Sequence, residues 1–280
     1  MKIQNALKES NIFLMKNNIR NSQLDSEILM SEVIEQDRKY IILNLDKTLK
    51  KKEILKFKNL IKQRSKGKPI AYLTNKKFFW KYEFFVNDQI LIPRPDTELI
   101  VDQVLKMTKN KSKLKFLDIG IGSGCILLSI LKEKPLFHGV GIDISKKCIN
   151  ISKKNAHKLK VENRVKFFKT DVDNFVDGKY DLIISNPPYI KKFDLKYLER
   201  DVVNFEPKKA LDGGIDGVSE IRKVIKKSSE LIKKNGKLIL EIAFDQREKV
   251  KNILKQNGFY INKTLKDLAK NDRCIISTKT

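Results

Sequence analysis

The chain has 280 residues, enough for one large domain or a small one plus a medium one, and its 41% hydrophobic content supports a packed core. No apolar run reaches the roughly 18 residues of a membrane span, and three scattered cysteines, Cys125, Cys148 and Cys274, give neither metal-site spacing nor a disulfide framework. The net charge is +25, but only nine of the 59 basic residues are Arg and the lysines run through nearly every segment, so dispersed solvated charge is favoured over a face that reads nucleic acid.

Residues 1–75 read as helical. Ile3, Leu7, Ile12, Phe13 and Leu14 mark a first helix, and Ser22 is placed as the cap of a second that runs through Ile28, Leu29, Val33 and Ile34. Residues 40–45 and 54–61 continue the helical spacing until Gly67 and Pro69 end it. The segment carries no chemical motif. The opening residues, Met1 to Ala6, lack the basic-then-apolar layout of a signal peptide, so a cytoplasmic location is expected.

Residues 76–92 change period. Phe78 to Val86, then Asn87-Asp88, then Gln89 to Ile92 predict a β-hairpin turning at Asn87-Asp88, which serves as the domain linker. Trp80, the only tryptophan, is read as hairpin packing.

Residues 93–280 alternate strands with helices. Strands are predicted at 115–119, 138–143, 165–169, 180–185 and 236–242, with a terminal pair at 259–265 and 273–278. The fold class is therefore α/β, a doubly wound, mostly parallel seven-stranded sheet, preceded by a small all-α bundle and the hairpin linker.

Three features of this half carry chemistry. Gly120-Ile121-Gly122-Ser123-Gly124 lies between a strand and a helix, where backbone N–H groups are free to meet a ligand. Its G-x-G-x-G spacing differs from the G-x-G-x-x-G dinucleotide fingerprint. Asp143, at the end of the next strand, can accept both hydroxyls of a ribose, or can simply cap the following helix. Loop and acid together suit a nucleoside cofactor without a pyrophosphate, and S-adenosyl-L-methionine fits. The third feature is Asn186-Pro187-Pro188-Tyr189, directly after the fourth strand. The Asn186 side-chain oxygen and the Pro187 carbonyl are two acceptors on a stiff loop, and Tyr189 offers a flat face, so the loop can hold a planar NH2 group. On its own it can equally be a turn after a buried strand. The two histidines, His138 and His157, are read as structural.

Further segments complete the pattern: Arg94-Pro95-Asp96-Thr97-Glu98, Phe205-Glu206-Pro207, Ala210 to Gly217, Leu240-Glu241-Ile242 with Gln246, and Asp267-Leu268 with Asn271-Asp272-Arg273. With them the chain resembles, over nearly its whole length, the HemK/PrmC family of protein-(glutamine-N5) methyltransferases acting on peptide chain release factors. The resemblance implies a class I, Rossmann-like methyltransferase fold and S-adenosyl-L-methionine held by Gly120 to Gly124, Asp143 and Asn186. A further cofactor position falls at Val172, which is often aromatic in relatives; Phe167 or Phe168 is then the candidate for aromatic packing. It also implies that residues 1–75 dock the substrate protein. The expected substrate is the glutamine of a Gly-Gly-Gln motif, bound by Asn186, Pro187, Pro188 and Tyr189, with Asn186, Pro187 and Tyr189 serving catalysis. A monomer without metal, membrane or direct nucleic-acid partner is expected.

Two other readings remain at this level. An N6-adenine or other nucleic-acid amino methyltransferase would use the same tetrapeptide on an exocyclic NH2, although base extraction normally calls for a recognition domain. A non-enzymatic cofactor-binding or scaffold protein would have no need of the loop, the acid and the tetrapeptide together.

Overall fold

The helical spacing of the first segment resolves into five helices in the computed structural model, which describes residues 1–280. They are α1 (Ile3–Lys16), α2 (Ser22–Ile34), α3 (Arg38–Leu43), α4 (Lys51–Ser65) and α5 (Ile70–Thr74). On α1 the buried positions are Ile3, Ala6, Ser10 and Leu14, one stripe of the helix. They pack with Leu29, Met30, Ile41 and Phe57 into a core of their own. Residues 1–76 form one compact unit, joined by residues 199–205 from far along the chain. Arg64 organises this unit: its guanidinium, 12% exposed, pairs with Asp25 at 2.7 Å and with Asp201 at 2.9 Å.

Two expectations are corrected here. Asn21, not Ser22, is the N-cap of α2; the Ser22 hydroxyl instead donates to Asn11 Oδ1 at 2.6 Å. Pro69 does not end the helical pattern but opens α5, where its fixed φ suits a helix start.

The second unit comprises residues 77–198 and 206–280. A hairpin is present, but its strands are β1 (Lys76–Phe79) and β2 (Tyr82–Phe85), so the turn lies at Trp80-Lys81 and not at Asn87-Asp88. Side chains distant in sequence impose this turn. Trp80 takes φ +57°, a left-handed conformation that tryptophan adopts only when held. Its backbone N–H donates to Glu98 at 2.8 Å, while its indole N–H and the Tyr82 hydroxyl both donate to Glu133 Oε1 at 3.0 Å. Its packing role is as expected. Residues 86–92 form no strand.

After the hairpin, a short 3-10 turn at Pro95–Thr97 leads into α6 (Glu98–Met107). Then follow β3 (Lys115–Ile119), α7 (Cys125–Glu133), β4 (His138–Asp143), α8 (Lys146–Lys158), β5 (Val165–Lys169) and β6 (Tyr180–Ser185). A short helix α9 (Arg200–Phe205), α10 (Ser219–Leu231), β7 (Ile232–Glu241), α11 (Arg247–Gln256), β8 (Phe259–Lys266) and β9 (Asp272–Lys279) complete the chain. The seven-stranded sheet has the order β5-β4-β3-β6-β7-β9-β8, parallel except for β9, which runs antiparallel to both its neighbours. Alternate residues of each strand enter opposite cores, which is why these strands read as unbroken apolar runs. Phe116, Leu182, Ile184 and Ile239 pack with α6 and α7 on one face, and Leu117, Ile183, Leu238 and Leu240 with α10 and α11 on the other. The winding reverses between β3 and β6, and the crevice beyond the carboxyl ends of these strands is where open α/β sheets take ligands.

Candidate active site

Three loops meet at that crevice: 120–124 after β3, Asp143 at the end of β4, and 186–189 after β6. The glycine loop is a built cradle. Gly120 and Gly122 take φ of +76° and +56°, and a Cβ added at either would meet nothing within 4 Å. Glycine is therefore used here to open space as well as to turn the chain. The side chains of Ile121 and Ser123 point elsewhere: Ile121 is 4% exposed in the core, and the Ser123 hydroxyl accepts the Cys125 N–H at 3.3 Å. What these two residues offer a ligand is backbone.

Asp143 does not cap α8; Ser145 does, accepting the Cys148 N–H. Instead Asp143 Oδ2 accepts the Gly122 N–H at 3.0 Å and Oδ1 the Ser145 N–H at 2.8 Å. The two backbone donors orient the carboxylate, the Cys148 thiol lies against it as a third, weaker donor, and the lone-pair capacity that remains can accept a ligand hydroxyl. Burial raises its pKa, while the two backbone donors pull the other way. Beneath the loop lies Asp118, 1% exposed, with neither carboxylate oxygen hydrogen-bonded. Burial pushes it up to about 8, against the pull of the nearby Leu127 amide. An unpartnered buried carboxylate is costly unless a ligand completes it, and it is the complement of a cationic group. Open cradle, oriented hydroxyl acceptor and orphaned acid fit a nucleoside sulfonium carrying an ammonium. Asp118 was not among the expected ligands, although it opens the same loop.

Val172 begins a short 3-10 turn after β5 and is half-buried. Phe168 lies on the same face of the sheet as Val172 and packs on Phe175, with ring centroids 5.6 Å apart. Phe167 belongs to the opposite face.

The Asn186 side chain donates from Nδ2 to Thr97 Oγ1 at 3.2 Å, and no hydrogen bond within the protein engages its Oδ1. The Pro187 carbonyl is likewise unused. Tyr189 is held at both ends: its hydroxyl donates to Glu241 Oε1 at 3.2 Å, and its carbonyl accepts from the Gln246 amide at 2.9 Å. Burial raises the Tyr189 pKa, with the Glu241 charge adding to the effect. Glu241, 3% exposed at the end of β7, is pushed up to about 7 by burial, opposed by the hydroxyls of Thr97 and Tyr189.

The other sequence segments converge as supports. Arg94 pairs with Glu206 at 2.5 Å, and Glu206 also accepts the Ile92 N–H at 3.2 Å. Arg273 joins Asp267 at 2.8 Å to Asp96 at 3.5 Å. Ile190, next after the tetrapeptide, pairs with Leu211 and Gly213 through backbone hydrogen bonds. Glu206→Ala would strand a guanidinium and a backbone donor. Because Arg94 is 35% exposed, water recovers part of the loss, and the expected cost is about 2 kcal/mol in urea denaturation.

The sheet order and the crevice geometry define a methyltransferase with a class I, Rossmann-like fold using S-adenosyl-L-methionine. Solved structures agree on the fold. A methyltransferase from Pyrococcus furiosus aligns with a TM-score of 0.53 at 16% identity, covering 70% of this chain and 88% of its own. The ribosomal protein L11 methylase of Lactobacillus delbrueckii subsp. bulgaricus gives 0.51 at 19% identity, covering 68% and 82%. Residues 96–204 match the methyltransferase small domain model and residues 5–74 the PrmC N-terminal domain model. The release factor glutamine methyltransferase of Clostridium acetobutylicum is 36% identical across 100% of this chain and 99% of its own length. That of Buchnera aphidicola subsp. Baizongia pistaciae is 36% identical over the whole of both. The bifunctional methyltransferase of Rickettsia felis is 35% identical, and this chain spans only 57% of it. The chain belongs to the release factor glutamine methyltransferase family.

Proposed function

We infer that the protein transfers a methyl group from S-adenosyl-L-methionine to the side-chain amide nitrogen of the glutamine in the Gly-Gly-Gln motif of peptide chain release factors. The observation that carries the chemistry is the polarity of Asn186, whose NH2 is tied to Thr97 while its oxygen is left unclaimed. The choice of substrate protein rests on relatives of that name that match this chain from end to end.

When bound, S-adenosyl-L-methionine supplies an electrophilic methyl on a sulfonium. Gly120 to Gly124 and Asp143 would hold it, with Asp118 facing its cationic end and Val172 beside its base. An amide nitrogen is a poor nucleophile, so most of the help this protein gives is positioning. Asn186 Oδ1 and the Pro187 carbonyl each accept one N–H of the substrate amide, fix its plane, and stabilise positive charge growing on nitrogen. Pro188 keeps the loop stiff, and Tyr189, braced by Glu241 and Gln246, supplies the flat wall. The helical unit of residues 1–76 selects the protein that is modified. The enzyme acts as a cytoplasmic monomer without nucleic acid.

Labelled methyl transfer run in parallel on folded release factor, tRNA and DNA tests this. Label on release factor is expected; label on DNA or tRNA alone would favour the nucleic-acid reading.

A further inference from the structure

One exposed apolar side chain calls for no explanation, whereas several held together beside a reactive loop do. Phe193, Ile215 and Phe244 are 69%, 75% and 64% exposed. Phe193 and Ile215 belong to the long connection between β6 and β7, and Phe244 follows the carboxyl end of β7.

The backbone beneath these three residues is fastened into one piece. The buried Gln246 side chain donates from Nε2 to the carbonyls of Tyr189 and Gly217, both at 2.9 Å, and its oxygen accepts the Ala243 N–H at 3.1 Å. The Lys192 N–H donates to the Gly214 carbonyl at 2.9 Å, and Lys191 pairs with Asp245 at 3.0 Å. The Ile215 loop also lies directly against the tetrapeptide. A Cβ added at Gly213 would stand 2.8 Å from Tyr189 Cα, and one added at Gly217 would stand 2.8 Å from the Tyr189 carbonyl oxygen. An apolar surface already held in place gives up little freedom when a partner covers it.

Continuity with Tyr189 puts this surface within reach of the chain that brings an amide to the tetrapeptide, and charge tells what kind of chain it suits. Each of the three residues is followed by an aspartate: Asp194, Asp216 and Asp245. Asp216 is paired with Arg222 and Lys249, and Asp245 with Lys191. A phosphate backbone laid here would meet carboxylates. An apolar centre within a paired, charged rim is instead the anatomy of a protein interface.

We propose that Phe193, Ile215 and Phe244 form an apolar docking platform for the substrate protein, covered by the apolar side chains that flank the acceptor glutamine in folded release factor. The proposal rests on the reading of release factor as the substrate. The platform supplies binding and no chemistry. It is covered equally in the ground state and in the transition state, so it sets KM and leaves kcat alone.

The test is a triple serine variant, Phe193→Ser with Ile215→Ser and Phe244→Ser, at positions already in water. Its KM for folded release factor should rise by about tenfold or more, while kcat at saturation, affinity for S-adenosyl-L-methionine and melting temperature stay at wild-type values. Phe193→Leu with Phe244→Leu keeps most of the apolar area and should hold KM within about twofold. Wild-type KM in the serine variant, or a fall in kcat at unchanged KM, would overturn the platform. A wild-type dimer in sedimentation equilibrium that the serine variant dissolves would overturn it by seating a second copy there. Inhibition of the wild type by polyuridylate that the serine variant escapes would overturn it by seating nucleic acid. The two readings fail separately: transfer to release factor with KM unchanged in the serine variant removes the platform alone, whereas no transfer by the wild type removes the substrate and the platform's occupant with it.

Discussion

Asn186→Ala is expected to lower methyl transfer by at least about 100-fold while the protein stays folded and keeps most of its affinity for cofactor. The variant loses one hydrogen bond, to Thr97, from a half-buried side chain, so its stability should change by no more than about 1 kcal/mol. What it loses for catalysis is larger. Without Oδ1 the substrate amide keeps only the Pro187 carbonyl as a partner and can rotate about that single contact, so the nitrogen lone pair no longer points along the line of displacement. The effect should fall on kcat more than on KM, because an acceptor that favours charge developing on nitrogen acts chiefly in the transition state. Single-turnover assays with cofactor in excess separate the two, and near-normal turnover would remove Asn186 from its assigned role.

Asp143→Ala is expected to weaken cofactor binding by about 10- to 100-fold, from one to two charge-assisted hydrogen bonds at about 1.5–3 kcal/mol each, partly replaced by water. The same carboxylate also holds the Gly122 and Ser145 N–H groups, so part of the loss comes from a loosened cradle. Asp143→Asn separates the contributions: it keeps an acceptor for one backbone donor and gives up the charge, and it should fall between wild type and Asp143→Ala. Calorimetric titration with S-adenosyl-L-methionine reads the affinities directly. An unchanged dissociation constant in Asp143→Ala would show that the carboxylate only braces the loop.

Much of this fold was legible because local and global signals agreed. Strands β3, β4 and β6 begin and end where the apolar runs do, since each is buried on both faces, and β5, at the sheet edge and only partly covered, still shows its run in Val165, Phe167 and Phe168. The hairpin shows the opposite case. Asn87-Asp88 is sound turn chemistry, yet the turn forms at Trp80 because Glu98 and Glu133 seize its two N–H groups, and no local rule sees partners that distant. Helix α9 was missed for a related reason: it is a single short stretch whose Asp201 is secured by Arg64, not by a periodicity of its own.

The site divides in the same way. Gly120 to Gly124, Asp143 and Asn186-Pro187-Pro188-Tyr189 announce themselves by residue type at strand ends. Thr97 and Glu241 lay within segments already singled out, but the Tyr189–Glu241 contact exists only once β6 and β7 are neighbours, and the Asn186–Thr97 bond only once the turn before α6 lies at the end of β6. Asp118 hid in β3, where an acid reads as an interruption of an apolar run, and only the lack of a hydrogen bond to its buried carboxylate oxygens singles it out as a candidate.

The most direct test of the account is to incubate the protein with S-adenosyl-L-methionine and a folded release factor, and then to locate the methyl group by tandem mass spectrometry. The account predicts one added methyl, on the side-chain amide of the glutamine in Gly-Gly-Gln, and none with Asn186→Ala. A methyl group on any other residue, or no transfer to release factor alongside transfer to adenine in DNA, would contradict it.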